Sequence, residues 1–388
     1  MIPQRPTWCD IDLSAVAENL AMLRDMVGPK VAIFICLKGD ANGCGDIAVG
    51  RTVQDAGVAG VAFGNLDRAV AARQAGLYVP ILLYPTCLPD AAPFLERHAM
   101  MPTISTLEDV AAWSAQATSL KVFLKLDGGG FRAGALPQHA VAVAQAIVAS
   151  PALELAGVYG HPMTSYGPVD VGYTNAQIAS CLAALDAIAQ AGITAPIRMI
   201  SSSAIILSNP EADLNAVDPG RLVLGQGFPA SSGRERPWRH ALVGLRSRLV
   251  MVKSLADPGD VMPAPFLPLR AGMRLGLIPY GWSDGYPRRM PPNATALVRG
   301  QRVRLLGPTH SELIRVDLTE VPDAAVGDEV VLLGRSGRAE IGLAELAEQW
   351  GTSVSELYPV IGKSIRRNYL DAAGASDAGL RPALIAQG

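Results

Sequence analysis

The chain has 388 residues, of which 49% are hydrophobic and 18% charged, a composition typical of a well-packed protein of two or three domains. Its formal net charge of −2 provides no basic field, so neither nucleic acid nor an anionic membrane is expected as a partner. No signal peptide or membrane span of ~20 residues is recognisable, and five cysteines without CxxC spacing favour a cytoplasmic protein with reduced thiols and no structural metal.

Up to about residue 230, short apolar runs alternate with alanine-rich stretches of helical periodicity, such as 65–76 and 137–149. Eight apolar runs are predicted as strands: 31–37, 60–64, 79–84, 101–105, 122–126, 155–160, 197–201 and 221–225. Eight strands with helices between them over about 200–250 residues are what a (β/α)8 barrel requires. Periodicity alone leaves a doubly wound open sheet as the alternative. Polar or glycine-bearing clusters after at least five of these strands favour the barrel.

Beyond residues 228–238, a polar segment rich in turn formers that we interpret as a linker, the pattern changes. Short alternating runs separated by Pro and Gly predict an antiparallel β domain, with helices over 342–350 and 353–360. We therefore expect a barrel domain and a C-terminal β domain, with residues 1–9 a candidate addition to the second, followed by a flexible tail. The expected bounds are 10–230 for the barrel, 239–371 for the β domain and 372–388 for the tail.

Lys38 closes the first apolar run and precedes a small-residue loop, 39–45. Parallel strands are buried on both faces, and barrels keep their active sites at the carboxyl ends of the strands. A desolvated lysine at that position loses its proton easily and can form an imine with a carbonyl compound. The alternative is a strand-end lysine that extends into solvent.

Nine segments, in order along nearly the whole chain, resemble the alanine racemase family of pyridoxal 5′-phosphate (PLP) enzymes. They are 9–24, 38–45, 125–134, 160–165, 201–207, 217–225, 281–288, 326–334 and 364–369. The resemblance implies fold-type III, which is a TIM-like (β/α)8 barrel plus a predominantly antiparallel C-terminal β domain, with PLP as the cofactor. It also implies a head-to-tail homodimer in which the partner's C-terminal domain completes each active site.

By the same resemblance, Lys38 forms the internal aldimine with PLP. Ser203 and the backbone at Gly220 and Arg221 are expected to hold the phosphate, because they follow the last two predicted strands. Tyr369 matches the family's tyrosine that donates to the phosphate. Considered alone, Ser203 and Gly220 are equally consistent with ordinary turn chemistry.

Three further residues match positions around the substrate. Arg132 resembles the arginine that contacts the cofactor's phenolic oxygen and helps hold the substrate carboxylate. Lys125 matches a lysine that some members carbamylate, the alternative being a solvated strand-end lysine. His161 resembles a histidine beside the cofactor ring, where we expect it to position the ring rather than transfer protons.

The chain departs from the family at its second base. Trp282 stands where the family has a catalytic tyrosine supplied by the partner subunit, and an indole N–H cannot accept a proton. The family's entrance segment reads His310, Ser311 and Glu312 in this chain. His310 is therefore a candidate replacement acid/base, whereas the simpler interpretation is a solvated loop histidine.

Two more departures lie in the barrel. Asp218 replaces the arginine that normally faces the cofactor's ring nitrogen, and a carboxylate there would keep the nitrogen protonated and prolong a quinonoid carbanion. Alternatively, Asp218 turns away into a backbone hydrogen bond. Asn42 stands where the family has a tyrosine at the phosphate, which predicts looser cofactor binding.

Three functions remain open. The first is an amino-acid racemase or epimerase, which the whole-chain resemblance favours. The second is a lyase, either a retro-aldolase on β-hydroxy amino acids or a decarboxylase, which the changes at Asp218 and Trp282 favour. The third, a non-catalytic PLP-binding protein, is disfavoured by the presence of Lys38, Arg132 and Ser203. The sequence does not identify the amino acid substrate.

Overall fold

The computed structural model describes residues 4–164, 171–227, 232–257, 259, 269–361 and 365–370. The chain divides into two compact units. Of the described residues, those within 15–41 and 46–239 form the barrel unit, and those up to 14, within 42–45 and from 240 onward form the β unit. The expected tail, part of the predicted linker and the end of the segment 160–165 lie outside the described residues.

The barrel unit is built on parallel strands. Strand β1 (Thr7–Asp12) belongs to the β unit, and the strands of the barrel unit are β2 (Ala32–Cys36), β3 (Gly60–Phe63), β4 (Ile81–Leu83), β5 (Met100–Met101), β6 (Thr103–Ile104), β7 (Leu120–Leu126), β8 (Leu153–Gly160), β9 (Ile197–Ser201) and β10 (Ala216–Val217). They form one nine-stranded sheet in the order β5-β4-β3-β2-β10-β9-β8-β7-β6. Every strand pair in this sheet is parallel.

The sheet is nearly closed, because its two outermost strands, β5 and β6, are separated in the chain only by Pro102. Proline has no N–H to donate, which interrupts the predicted strand 101–105, while the Pro102 carbonyl accepts a 2.9 Å hydrogen bond from the Phe123 amide. The interior is filled by one or two side chains from most strands: Phe34, Ala62, Leu82, Met101, Phe123, Ala156, Tyr159, Met199 and Ala216. The predicted TIM-like barrel is therefore confirmed.

The eighth predicted strand, 221–225, is wrong. Leu222–Leu224 form a 3-10 turn that ends at Gly225 in the left-handed region (φ 78°), and the eighth barrel position is taken by β10, a few residues earlier. The amide of Leu222 donates to the Ser203 hydroxyl rather than to a strand partner. A short, fully buried apolar run has the same composition in a turn as in a strand, so the pattern did not distinguish them.

Helices cover the outside of the barrel strands. They are α1 (Leu13–Val27), α2 (Asp46–Asp55), α3 (Leu66–Gln74), α4 (Ala92–Arg97), α5 (Leu107–Gln116), α6 (Pro137–Ala149), α7 (Val171–Gln190) and α8 (Ser203–Ser208). Their starts follow from capping, since the Thr106 side chain and Asp109 form a reciprocal capping box at α5 and Pro137 opens α6. Among the described helices, none is both long and apolar enough to cross a membrane.

The β unit contains β11 (Leu242–Arg248), β12 (Met251–Leu255), β13 (Met273–Ile278), β14 (Thr295–Val298), β15 (Gln301–Leu306), β16 (Ile314–Asp317), β17 (Glu329–Ser336), β18 (Ala339–Ile341), β19 (Arg366–Leu370), α9 (Leu343–Trp350) and α10 (Val354–Val360). The sheet order is β12-β13-β16-β15-β14-β17-β11-β1-β19, with β18 paired to β17. All of its strand pairs are antiparallel except β1 with β19. The predicted antiparallel domain and its two helices are present.

Strand β1 lies inside this second sheet rather than in the barrel. It pairs antiparallel with β11 and parallel with β19, and its side chains Cys9 and Ile11 are fully buried. The expected domain boundary at residue 10 therefore falls within a strand of the β unit.

Candidate active site

Lys38 lies just past the carboxyl end of β2, as the sequence predicts. Its side chain is exposed, and its Nζ atom lies 5.8 Å from the centroid of the Tyr84 ring, which follows β4. An accessible amine on a rigid strand end is suitable for covalent attachment of a carbonyl compound.

The loop after Lys38 has an unusual backbone. Gly39, Asp40, Ala41 and Asn42 have φ values of 67°, 60°, 50° and 50°, so four successive residues lie in the left-handed region. Each non-glycine residue there costs roughly 1–2 kcal/mol, and surrounding contacts must compensate for that cost.

Arg68 on α3 provides those contacts within the barrel unit. Its guanidinium donates to Asp40 at 2.6 Å and to the buried carboxylate of Asp46 at 2.8 Å, while the Asp46 amide donates to the Asp40 carboxylate at 3.0 Å. This cluster fixes the loop that carries Lys38. Sequence reasoning missed it, because nothing local pairs Arg68 with residues 22 and 28 positions earlier.

Three backbone amides converge after β10. The amides of Gly220, Arg221 and Leu222 all donate to the Ser203 Oγ atom, at 3.1, 3.0 and 3.3 Å. Gly220 is required by the close approach of β2, because a Cβ at this position would lie 2.8 Å from the Cys36 carbonyl oxygen. Convergent N–H groups form a concave site for anions, so these residues fit a phosphate group.

Asp218 is buried, with 2% of its surface exposed. Its Oδ2 accepts a 3.0 Å hydrogen bond from the Tyr84 hydroxyl, and its Oδ1 is buried without a hydrogen-bond partner among the described residues. Burial raises the pKa of this carboxyl to about 7, against the opposing effects of Lys38, the Tyr84 hydrogen bond and Lys125. A buried oxygen without a partner is costly, and it fits a ligand that brings an N–H donor.

His161 follows β8 and is uncharged. Burial, with the nearby charges of Lys38, Arg132 and Lys125, lowers its pKa to about 3. Its Nδ1 lies 4.0 Å from Asp218 Oδ2, which is too long for a hydrogen bond. A neutral imidazole cannot form an ion pair, so this contact places the ring beside the carboxyl without charge pairing.

Lys125 and Arg132 line one cavity with His161, Asp127 and Gln177. Burial, then the charge of Arg132, lowers the pKa of the Lys125 ammonium to about 8, which leaves the uncharged fraction that carbamylation requires. Arg132 is exposed on a loop held by Asp127. The Asp127 carboxylate accepts from the amides of Gly129, Phe131 and Arg132, each at 3.0 Å.

Within the β unit, the structure brings Trp282, His310 and Ser311 together. The Trp282 amide donates to the His310 carbonyl at 3.1 Å, and the Ser283 amide donates to the Ser311 carbonyl at 2.9 Å. All three predicted side chains are exposed, Trp282 by 40%. A Cβ at Gly281 would lie 2.3 Å from the Ser311 carbonyl oxygen, so only glycine permits this approach.

The turn that bears Trp282 is anchored by an ion pair. Both oxygens of the buried Asp284 carboxylate accept hydrogen bonds from Arg5, each at 2.7 Å. Asp284 also accepts from the Gly281 amide at 2.9 Å, and Arg5 donates to the Glu312 carbonyl at 3.1 Å. The two loops therefore share one fixed backbone arrangement.

Tyr369 and Asn42 belong to the same compact unit. A Cβ at Gly45, whose φ is 93°, would lie 2.0 Å from the Tyr369 hydroxyl oxygen, so glycine is needed for the tyrosine to reach the loop 42–45. The Gly43 carbonyl accepts from Arg367 Nε at 2.7 Å. Within the β unit, glycines 43 and 45 thus bring residues 42–45 against β19.

A barrel with a lysine after its first strand and converging amides after its last is typical of enzymes that bind a phosphate-bearing small molecule. Residues 11–227 match the family described as alanine racemase, N-terminal domain, and residues 242–369 match alanine racemase, C-terminal domain. The chain belongs to the alanine racemase family, whose members use PLP. The predicted family, fold and cofactor are confirmed.

Individual relatives support this assignment. The chain is 33% identical to the alanine racemase of Desulfovibrio desulfuricans over 374 residues, covering 95% of this chain and 99% of that one. It is 31% identical to the enzyme of Nitrosospira multiformis over 366 residues, covering 94% and 99%. Alanine racemase from Bacillus anthracis with bound L-Ala-P superposes with a TM-score of 0.84 at 25% identity, covering 97% and 98%.

Proposed function

We propose that the chain is a PLP-dependent amino-acid racemase or epimerase in which Lys38 is the covalent attachment point of the cofactor. The observation that carries this proposal is the clustering of Lys38, Asp218 and the amides of Gly220 and Arg221 at the carboxyl ends of barrel strands. The relatives named alanine racemase support the reaction class. The substrate is accordingly a small amino acid.

Each part of the cofactor has residues suited to it. The Ser203 hydroxyl and the amides of Gly220 and Arg221 would hold the phosphate, with Tyr369 as a further donor. Arg132 would hold the phenolic oxygen and the substrate carboxylate, and Asp218 would accept from the ring nitrogen. Asn42 would supply an amide where the family's tyrosine stands, so phosphate binding depends more on the backbone donors. PLP, when bound, withdraws electrons from the bonds at the substrate Cα.

Racemisation moves a proton at each face of Cα. We assign one face to the Lys38 amine and the other to His310 of a second copy of the chain, since Trp282 has no acceptor atom. Support for His310 comes from its exposure and from the backbone hydrogen bond that joins it to Trp282. A head-to-tail homodimer with shared active sites is part of this proposal.

A lyase is the second candidate, and Asp218 favours it. A carboxylate at the ring nitrogen strengthens electron withdrawal, which assists cleavage of a carbon–carbon bond as well as loss of a proton. A retro-aldolase or decarboxylase also needs no second base at Cα, so the tryptophan at 282 would not impair it.

Reduction with borohydride tests whether PLP is attached to Lys38. After incubation with PLP and borohydride, peptide mapping should find a pyridoxyl group on Lys38 and none in a Lys38→Ala variant. Lys121, which is exposed on β7 and paired with Glu154 at 3.4 Å, serves as the control position. A colourless protein without an adduct on Lys38 would overturn the proposal.

Product analysis then separates the two reactions. A panel of L- and D-amino acids in deuterated buffer should show enantiomer interconversion with deuterium at Cα and no aldehyde or CO2. Release of aldehyde or CO2 without interconversion would replace the racemase with the lyase.

A further inference from the structure

We infer that Tyr84 is a positioning residue that holds Asp218 with one carboxylate oxygen directed to the cofactor's ring nitrogen. This inference rests on the proposed function, because it requires PLP bound through Lys38. It adds a residue that neither the family resemblance nor the sequence pattern assigned, and a chemical reason for its presence.

The hydrogen bond between Tyr84 and Asp218 spans the barrel. Tyr84 follows β4 and Asp218 follows β10, and strands β3 and β2 lie between them in the sheet. The tyrosine hydroxyl nevertheless reaches Asp218 Oδ2 at 3.0 Å. Asp218 is thus tied through this oxygen to another strand end of the barrel rather than to its own turn.

The Tyr84 ring is itself held in place. It packs against the barrel core, with its centroid 6.0 Å from the Tyr159 ring and 5.8 Å from Lys38 Nζ. The same side chain therefore contacts the amine that attaches the cofactor and the carboxylate proposed for its nitrogen.

The hydrogen bonds of the Asp218 carboxylate indicate which of its two oxygens is available to a ligand. Burial, then the charge of Asp218, raises the pKa of the Tyr84 hydroxyl well above its usual value, so the hydroxyl keeps its proton and acts as a donor. It satisfies Oδ2 and leaves Oδ1 buried without a partner among the described residues. A protonated ring nitrogen supplies the missing donor, and the resulting charge-assisted bond is stronger than a neutral one.

Tyr84 also favours the ionised carboxyl. Besides Tyr84, the titratable groups that interact with Asp218 include Lys38, Lys125, the neutral His161, the Cys36 thiol and the Tyr159 hydroxyl. Burial opposes ionisation, whereas the two lysines and the Tyr84 hydrogen bond favour it. Removing the hydroxyl leaves a carboxyl that holds its proton to higher pH. Less of it is then ionised at neutral pH, so it stabilises a protonated ring nitrogen less well.

The test measures protonation of the ring nitrogen directly. Holoenzyme reconstituted with PLP labelled with ¹⁵N in the ring is titrated with pH and followed by nitrogen NMR, for wild type, Tyr84→Phe, Asp218→Asn and the double variant. The wild-type nitrogen should be protonated at neutral pH. Asp218→Asn should abolish this protonation. Tyr84→Phe should lower the nitrogen's pKa by about one unit, the tenfold effect of one lost hydrogen bond.

Two comparisons make the result specific. The double variant should resemble Asp218→Asn alone, because Tyr84 acts only through the carboxylate. Tyr159→Phe is the matched control, since this neighbouring buried hydroxyl bonds to Thr103 at 2.9 Å and should leave the nitrogen signal unchanged. If Tyr84→Phe does not fold, Tyr84→Met removes the same hydroxyl.

The outcomes separate the two proposals. If the wild-type protein forms no pyridoxyl adduct on Lys38, both the proposed function and the inference about Tyr84 are overturned. An intact adduct with a wild-type ring nitrogen unprotonated, or with Tyr84→Phe indistinguishable from wild type, overturns the inference and leaves the proposed function standing. A Tyr159→Phe effect as large as that of Tyr84→Phe also overturns it.

Discussion

The candidate residues of the barrel unit and those of the β unit are held in opposite ways. In the barrel unit, Asp218 and Lys125 are buried and their pKa values are displaced, chiefly by burial. In the β unit, His310 and Ser311 are exposed, and their positions are set by backbone hydrogen bonds to the Trp282 turn. Burial therefore controls charge in the first group, and backbone geometry controls placement in the second.

This difference determines which substitutions each group tolerates. Replacing a buried charged residue changes the protonation of its neighbours as well as itself. Replacing an exposed loop side chain changes only what the loop presents, provided that its backbone contacts remain. The β unit could thus accept a different side chain at position 282 without altering its fold, whereas our inference makes the charge of Asp218 depend on its neighbour Tyr84.

Loss of the Lys38 amine should have the largest effect. Lys38→Ala is expected to lower activity by on the order of 10³-fold or more, because it removes both the attachment point and one proton carrier. Activity and cofactor absorbance are measured together, with Lys121→Ala as the control. Retained turnover in Lys38→Ala would place the chemistry outside the barrel group.

His310→Ala tests the exposed group. Interconversion of enantiomers should fall by about 10²-fold or more, the usual worth of a general acid/base, while cofactor absorbance and thermal stability stay unchanged. Deuterium exchange at Cα of one enantiomer should persist through Lys38. His139→Ala, an exposed histidine on α6, is the matched control. Unchanged interconversion would assign the second face to water.

The backbone anchor of the exposed group is tested by Asp284→Ala. It removes both carboxylate bonds of Arg5, which keeps only its bond to the Glu312 carbonyl, and it leaves the Gly281 amide without its acceptor. The free energy of unfolding should therefore fall by about 2–3 kcal/mol, less than for a fully buried pair because Arg5 is one-third exposed. Urea unfolding measures the change. Glu340→Ala, which breaks an exposed pair with Arg335, should cost about 0.5 kcal/mol or less. Equal effects would contradict the distinction between the pairs.

The pH dependence of stability sharpens the role of burial. The pKa of His161 is lowered to about 3, so the unfolded chain takes up a proton below about 6.5 and the folded chain does not. The stabilisation is present above pH 6.5 and is lost as the pH falls towards 3. Between pH 6.5 and 5.5, wild type should lose ~1 kcal/mol more than His161→Gln. The His139→Gln control should lose as much stability as wild type over this pH range. If His161→Gln also lost as much as wild type, the lowered pKa of His161 would be contradicted.

The barrel was predictable where strands are long enough to form recognisable apolar runs. The run ending at Lys38 is one example, and the resemblance fixed the overall order. The closing strand Ala216–Val217 has only two residues, too few for any pattern, so the neighbouring run 221–225 was assigned instead. The sheet that β1 joins depends on partners far along the chain, which local patterns do not encode.

In the site, the resemblance supplied Lys38 and Asp218 but not Tyr84. Tyr84 ends the apolar run 79–84 just as Lys38 follows its own run, and this shared position was the available signal. Its partner could not be inferred, because pairing across two intervening strands depends on barrel geometry. The Arg68 cluster was missed for the same reason.

The pairing of β1 has a consequence for synthesis on the ribosome. Both of its partners are made much later, since β11 begins at Leu242 and β19 at Arg366. At about 5–20 residues per second, the segment Thr7–Asp12 waits on the order of ten seconds or more with both edges open. An unpaired strand carrying Cys9 and Ile11 is a point of vulnerability to aggregation, so chaperone demand in this protein should concentrate on its first dozen residues.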